Sequence, residues 1–208
     1  TTGDAVYISS AKNVTILTNN ITVSNSTNQS SAITLKSTNG DRVFSNKIFL
    51  TVGGYDPSGD SVPSSGIYVT TAHGINASYN EITLSNYANA GIFLTSSSNN
   101  SLSFNNISGP SLYSSGIYIE ASSTLNNLSN NIITSRNKTG ITVYTNSNRF
   151  LNNSISSSPT AFFVGGNFSV FEKNYLVNNT VSYQFVNSSS FNNFTLEQIL
   201  NSSTAAIL

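Results

Sequence analysis

The chain has 208 residues with eight basic and eight acidic side chains, so its formal net charge is zero and only 8% of it is charged. Binding to nucleic acid needs clustered lysine and arginine to displace phosphate counterions, and this composition supplies no basic stripe. Cysteine is absent, which removes disulfides and thiolate metal sites, and no apolar run approaches the ~18 residues of a membrane span.

Read in order, the chain repeats one phrase: a small residue opens an apolar strand, and thirteen or fourteen residues later an asparagine stands two before an isoleucine or leucine. The copies are Ala5-Val6-Tyr7-Ile8 with Asn19, Ala32-Ile33-Thr34-Leu35 with Asn46, Gly66-Ile67-Tyr68-Val69 with Asn80, and Gly91-Ile92-Phe93-Leu94 with Asn105. They continue as Gly116-Ile117-Tyr118-Ile119 with Asn130, Gly140-Ile141-Thr142-Val143 with Asn153, and Ala161-Phe162-Phe163-Val164 with Asn174. The small residue precedes the asparagine by fourteen in the first five copies and by thirteen in the last two.

Alternation within each strand turns residues such as Ile33 and Leu35 one way and the middle residue the other. The residue two after each asparagine (Ile21, Ile48, Ile82, Ile107, Ile132, Ile155, Leu176) is expected inside. A unit this short cannot bury its apolar side alone, so copies must stack. The expected fold is all-β: a parallel β-helix, or solenoid, of about seven to eight coils, rising about 4.8 Å per coil. Asn19, Asn46, Asn80, Asn105, Asn130, Asn153 and Asn174 would then form a ladder at one corner.

The linkers between copies shorten along the chain, which predicts a taper towards the C-terminal end. The exception is the stretch around Gly53-Gly54-Tyr55-Asp56-Pro57-Ser58-Gly59-Asp60, which predicts a protruding loop over 51–65. The β-helix is expected over 1–194. The Thr195-Leu196-Glu197-Gln198 box predicts a short capping helix, so 195–208 reads as cap and tail.

The small-residue strand and the Asn-x-Ile turn resemble the repeats of the pectin-lyase-like parallel β-helix superfamily, particularly its NosD-like and surface-protein members. That resemblance implies the fold and a right-handed coil, but not an activity, because the superfamily holds lyases, hydrolases, epimerases and inert rods. It implies clustered aspartates in the hydrolases, and calcium-binding carboxylates with an arginine or lysine base in the lyases. Here the eight acids (Asp4, Asp41, Asp56, Asp60, Glu81, Glu120, Glu172, Glu197) are scattered over the repeat, and none pairs at the spacing that two-carboxylate sugar hydrolysis needs. His73-Gly74 resembles the histidine-glycine pair of polygalacturonases, without the accompanying aspartates. No catalytic residue is expected.

Asp56 and Asp60 are the candidates for calcium, against ordinary turn residues. The loop is not an EF-hand, because Ile67 stands where the twelfth-position glutamate belongs. Otherwise no metal or cofactor is expected. Lys47 and Glu81 share an outward position in adjacent coils and are expected to pair. Tyr7, Tyr68, Phe93, Tyr118 and Phe163 form an outward aromatic stripe with three open readings: subunit contact, sheet stabilisation or glycan binding.

Fifteen Asn-x-Ser/Thr sequons occur: Asn13, Asn20, Asn25, Asn28, Asn76, Asn99, Asn106, Asn127, Asn137, Asn152, Asn167, Asn178, Asn187, Asn193 and Asn201. None is a ladder asparagine. The sequence therefore predicts a non-catalytic, N-glycosylated structural protein of the extracellular space or cell surface, assembling with copies of itself into a filament or layer. Its hydroxyl- and amide-rich composition is similar to that of archaeal surface proteins. The alternatives are a carbohydrate-binding or polysaccharide-degrading β-helix, or one domain of a larger adhesin or surface-layer protein.

Overall fold

The computed structural model describes residues 3–25, 30–52, 64–85, 88–109, 115–120, 122–135, 138–186 and 189–207. Asp56 and Asp60, most of loop 51–65, and the sequon asparagines Asn28, Asn137 and Asn187 lie outside these residues. Every regular element described is a strand, and the strands form three parallel sheets of nine, eight and eight. In the first coil Val6–Ser9 enters the first sheet, Thr15–Leu17 the second and Asn20–Asn25 the third. The chain then climbs one level, and Ile33–Lys36 pairs in parallel with Val6–Ser9. Repetition of this course builds an all-β parallel β-helix, in which Thr204–Ile207 is the ninth strand of the first sheet.

The interior is a set of columns, because in-register pairing places equivalent residues over one another. Ile82, Ile107, Ile133 and Ile155 stack in the third sheet, each at most 1% exposed. Each also explains the small residue that opens a first-sheet strand. A Cβ on Gly66, Gly91, Gly116 or Gly140 would lie 2.3–2.6 Å from the Cγ2 of Ile82, Ile107, Ile133 or Ile155 respectively. Glycine is thus required by close approach. Towards the C-terminal end the second-sheet column turns aromatic: Phe150 stacks on Phe171 at 4.8 Å and Phe171 on Phe194 at 4.7 Å, the strand spacing of a sheet.

The corner between the second and third sheets holds the asparagine ladder. Asn46 donates from its backbone nitrogen and its Nδ2 to Asn80 Oδ1, and Asn80 does the same to Asn105. Each Nδ2 also reaches back to a second-sheet carbonyl, as Asn80 does to Val43 and Asn105 to Ala77. Ladder partners are 27, 34, 25, 26, 22, 21 and 23 residues apart in chain order. The coils therefore shorten overall from the second, at 34, to the sixth, at 21, with the fourth one residue longer than the third, and the seventh lengthens to 23.

In the fifth coil the ladder residue is Asn131, not Asn130, and the inward isoleucine is Ile133, not Ile132, which is 53% exposed. The run Asn130-Asn131-Ile132-Ile133 fits the phrase in either register. What decides is one extra residue in the preceding turn: Thr95 and Ser97 of the fourth coil correspond to Glu120 and Ser123 of the fifth. Asn130 instead takes the left-handed corner position, φ 56°, shared with Thr18, Ser45, Tyr79, Phe104, Asn152, Lys173 and Leu196.

Residues 195–201 form no helix. Leu196 is a left-handed corner (φ 56°), Glu197 takes the ladder position, and Gln198–Leu200 is a strand paired with Tyr175–Val177. A seven-residue helix cannot hold itself, whereas a three-residue strand gains ready-made partners in the coil above. Strand register sets Ser182 over Ala161 and Glu197 over Asn174, so Glu197-Gln198-Ile199 is an eighth copy of the phrase, at a spacing of fifteen and with glutamate in place of asparagine.

Asn131→Ala should lower stability by about 2–3 kcal/mol because it strands several buried donors and acceptors. Asn130→Ala should cost only about 1 kcal/mol, the strain of a left-handed alanine. Urea unfolding of the two variants checks the register, and the reverse order would refute it.

Candidate functional site: an aromatic groove on the first sheet

The outer face of the first sheet gathers residues that lie one coil apart in the chain. Parallel register places Tyr68, Phe93 and Tyr118 directly over one another. Tyr68 meets Phe93 edge-on at 5.7 Å, and Phe93 stacks on Tyr118 at 4.7 Å. Above Tyr118 the next outward residue is Thr142, then Phe163. The threonine leaves a gap in the row of rings. Tyr144, just past the strand Thr139–Val143, leans across it, 5.8 Å from Tyr118 and 5.6 Å from Phe163. Tyr7 is not part of this row, because the buried Thr34 lies between it and Tyr68.

The gap is a groove of about 300 Å³ with Phe93, Tyr118, Tyr144 and Phe163 as aromatic walls. Its floor carries Ser115 and Thr142, whose hydroxyls are 2.7 Å apart, and Lys138 and Asn89 stand at its rim. Burial, followed by the neighbouring Tyr144 and Glu120, pushes the Tyr118 phenol up to about 12. Burial also raises Tyr68. At neutral pH both rings therefore keep their hydroxyl protons and can donate. Broad ring faces with a few hydroxyl donors suit a ligand that is apolar on its faces and hydroxylated at its edge.

The other sequence candidates lie elsewhere. Glu172 pairs with Arg149 at 2.9 Å and with Lys173 at 3.2 Å, and the Arg149 contact leads in holding its carboxyl below the usual range. Lys47 and Glu81 approach to 3.6 Å on the exposed third sheet. Asp4 Oδ1 accepts from the Ser31 backbone at 2.7 Å. His73 is exposed, its Nδ1 2.9 Å from Ser98 Oγ. Among the described residues no three histidine, cysteine, aspartate or glutamate side chains gather into a metal site. No helix among them is long and apolar enough to cross a membrane.

Sequons fall into two structural kinds. Asn13, Asn99, Asn152, Asn178 and Asn201 are exposed left-handed turn residues. Asn20, Asn106 and Asn193 are exposed at the start of strands, whereas Asn76, Asn127 and Asn167 are half-buried. Asn25 ends the strand Asn20–Asn25.

Sequence reasoning missed Tyr144, which lies outside the repeated phrase, and the notch at Thr142. The only signal was that threonine interrupts the row of aromatic middle residues. It also missed a second corner ladder, between the first and second sheets. There Asn100 donates to Asn126 Oδ1, the Asn126 backbone nitrogen donates to Asn148, and Asn126 Nδ2 reaches the Ser97 carbonyl. Asp41 holds the corresponding place in the second coil. Its Oδ1 accepts from the Val14 nitrogen, while its buried Oδ2 has no hydrogen-bond partner among the described residues.

Fold and groove together define a parallel β-helix protein with an aromatic recess on one sheet face. The family model of NosD, described as a periplasmic copper-binding protein, matches residues 56–204, and the chain belongs to that family. No curated protein matches it. Among solved structures it is similar to an alginate lyase from Paenibacillus sp. str. FPU-7, with 11% identity and a TM-score of 0.36 over 88% of this chain and 97% of that one. A likeness at that level says nothing about activity.

Asp41→Asn should stabilise the chain by about 1–3 kcal/mol, because an amide supplies the donor that the other ladder residues have at this corner. A lower urea midpoint for the variant would show that Oδ2 already has a partner.

Proposed function

We propose that this chain is a non-catalytic extracellular β-helix that holds a saccharide against the aromatic groove of its first sheet. The observation that carries the reading is the row Phe93, Tyr118, Tyr144 and Phe163 around a recess of about 300 Å³, large enough for a sugar ring. Stacking on aromatic faces binds the apolar side of a pyranose, and the hydroxyls of Ser115 and Thr142 offer polar partners to its edge. A binding role without turnover is supported by the acids. None lines the groove among the described residues, and Glu172 and Glu197 are committed to internal partners. The periplasmic description of the NosD family supports a location outside the cytoplasm.

The same family description raises copper. Copper sites are built from thiolate, thioether and imidazole ligands or, for Cu(II), from a square-planar cluster of nitrogen and oxygen donors, and no such cluster of histidine, aspartate and glutamate gathers among the described residues. This chain has no cysteine, no methionine and one histidine, and His73 faces Ser98 rather than another ligand. The residues present do not fit a copper site, so copper has no part in the proposal.

A second reading is the glycosylated, self-assembling rod that the sequence predicts. It is favoured by where the sequons lie. Asn13, Asn20, Asn99, Asn106, Asn152, Asn178, Asn193 and Asn201 are exposed for modification.

Tyrosine fluorescence should be quenched on titration with neutral or acidic oligosaccharides, and Tyr118→Ala and Tyr144→Ala should each weaken binding about tenfold. Mass spectrometry of the recovered oligosaccharide should show it intact. Failure to bind any of the panel would overturn the binding role, and cleavage products would overturn its non-catalytic character. Electron microscopy with intact mass on the natively isolated protein tests the second reading, which unmodified monomers would remove.

A further inference from the structure

Most glycines of this rod are explained by the backbone. Gly40, Gly74 and Gly109 have positive φ. Gly66, Gly91, Gly116 and Gly140 each face a backbone oxygen of the next coil, 2.6–2.8 Å from where a Cβ would stand, and Gly166 faces the Thr145 carbonyl oxygen. Gly165 has neither reason. Its φ is not positive, and its nitrogen makes an ordinary bond to the Val143 carbonyl at 2.7 Å. The three atoms nearest to its missing Cβ all belong to side chains: Cδ1 and Cε1 of Tyr144, at 2.8 and 3.4 Å, and Cγ2 of Val186 at 3.5 Å.

The closest of these atoms belong to a wall of the groove. Tyr144, Gly165 and Val186 hold the same position in the sixth, seventh and eighth coils, each donating from its nitrogen to the preceding coil, at Ile119, Val143 and Val164. A side chain at 165 would therefore stand one strand spacing from Tyr144, against its ring. With none there, the ring tilts towards the seventh coil and meets Phe163 at 5.6 Å and 61°, while staying 5.8 Å from Tyr118. Thr142 opens the gap in the aromatic row, Tyr144 supplies a wall from the neighbouring column, and Gly165 gives that wall its room. We propose that Gly165 is the positioning residue that sets the specificity of the groove: its missing Cβ fixes where Tyr144 stands, and so keeps the recess wide enough for a sugar ring. The inference rests on the saccharide reading above and assigns a role to a residue that does not line the groove.

The physical cost of a methyl group at this position falls on Tyr144. Carbon atoms pack best at about 3.5–4.0 Å, so a Cβ at 2.8 Å from Cδ1 forces a movement. Strand pairing holds both backbones, whereas the Tyr144 ring is 43% exposed and free to swing away from the seventh coil. The exchange of glycine for alanine otherwise favours the fold, because it narrows the conformations open to the unfolded chain. A site defect without a loss of stability is thus the signature that separates positioning from a structural need for glycine.

The test is a double-mutant cycle on oligosaccharide binding with Gly165→Ala, Tyr144→Ala and the pair. Gly165→Ala should weaken binding about three- to tenfold, and the pair should bind no more weakly than Tyr144→Ala alone. NMR contacts between the Tyr144 and Phe163 rings should be lost in Gly165→Ala without any ligand present. The urea midpoint of the pair should equal or exceed that of Tyr144→Ala. Unchanged affinity in Gly165→Ala, ring contacts that persist in it, or losses that add in the pair would each overturn the proposal. Should Gly165→Ala not fold, the pair decides: its folding supports a clash confined to Tyr144, and its failure, or a midpoint below that of Tyr144→Ala, overturns the proposal. An unaltered chain that binds no saccharide overturns the saccharide reading and the role in specificity with it, whereas binding that Gly165→Ala leaves intact overturns the role of Gly165 alone.

Discussion

The structure depends on hydrogen bonding at one corner. A coil that turns from the second sheet to the third within two residues must bend its backbone into the left-handed region, and Thr18, Ser45, Tyr79, Phe104, Asn130, Asn152, Lys173 and Leu196 all do so. Such a conformation costs about 1 kcal/mol per non-glycine residue, and the sharp turn exposes backbone groups that the sheets cannot pair. Except after Leu196, where Glu197 follows, the ladder amide immediately after the corner answers both demands, tying the turn to the neighbouring coils with buried, geometrically regular bonds. Asparagine is suited to this because a short side chain carries a donor and an acceptor on one planar group.

Register carries this local solution over the whole rod. Once the ladder sets which residue of one coil lies over which residue of the next, the isoleucine columns, the glycines beneath them and the aromatic row on the first sheet follow from strand pairing alone. Phe93 and Tyr118 are far apart in the chain, yet their rings lie 4.7 Å apart. A site on such a fold is a column, not a loop. Its chemistry depends on what happens at one position in successive coils, and a single exception, threonine at 142, is enough to open a groove.

The same logic accounts for the places where an acid replaces an amide. Asp41 in one ladder and Glu197 in the other both keep the acceptor and lose the donor. Asp41 is held inside the stack with Oδ2 lacking a hydrogen-bond partner among the described residues, while the second oxygen of Glu197 finds a tyrosine. Membership of the NosD family fits the fold, and the side chains of this particular chain give the family's copper no ligand set.

The repeated phrase by itself determined the architecture, because an alternating strand, an apolar column and an inward amide must recur together for short coils to stack. It also placed six of the seven asparagines that the structure shows in the ladder, and Tyr68, Phe93, Tyr118 and Phe163 of the aromatic row but wrongly Tyr7, since each depends only on position within one repeat. Tertiary structure alone decided the rest. Asn130 and Asn131 offer equal local chemistry, and only the pairing of Ile133 over Gly116 chooses between them. Thr195 to Gln198 reads as a helix start in isolation, yet it becomes a strand because a finished edge of coil seven is waiting to bond it. Tyr144 joins the groove through a lean across the sheet that no spacing encodes. In each case the deciding interaction is made with a neighbouring coil, whose alignment exists only once the rod is folded.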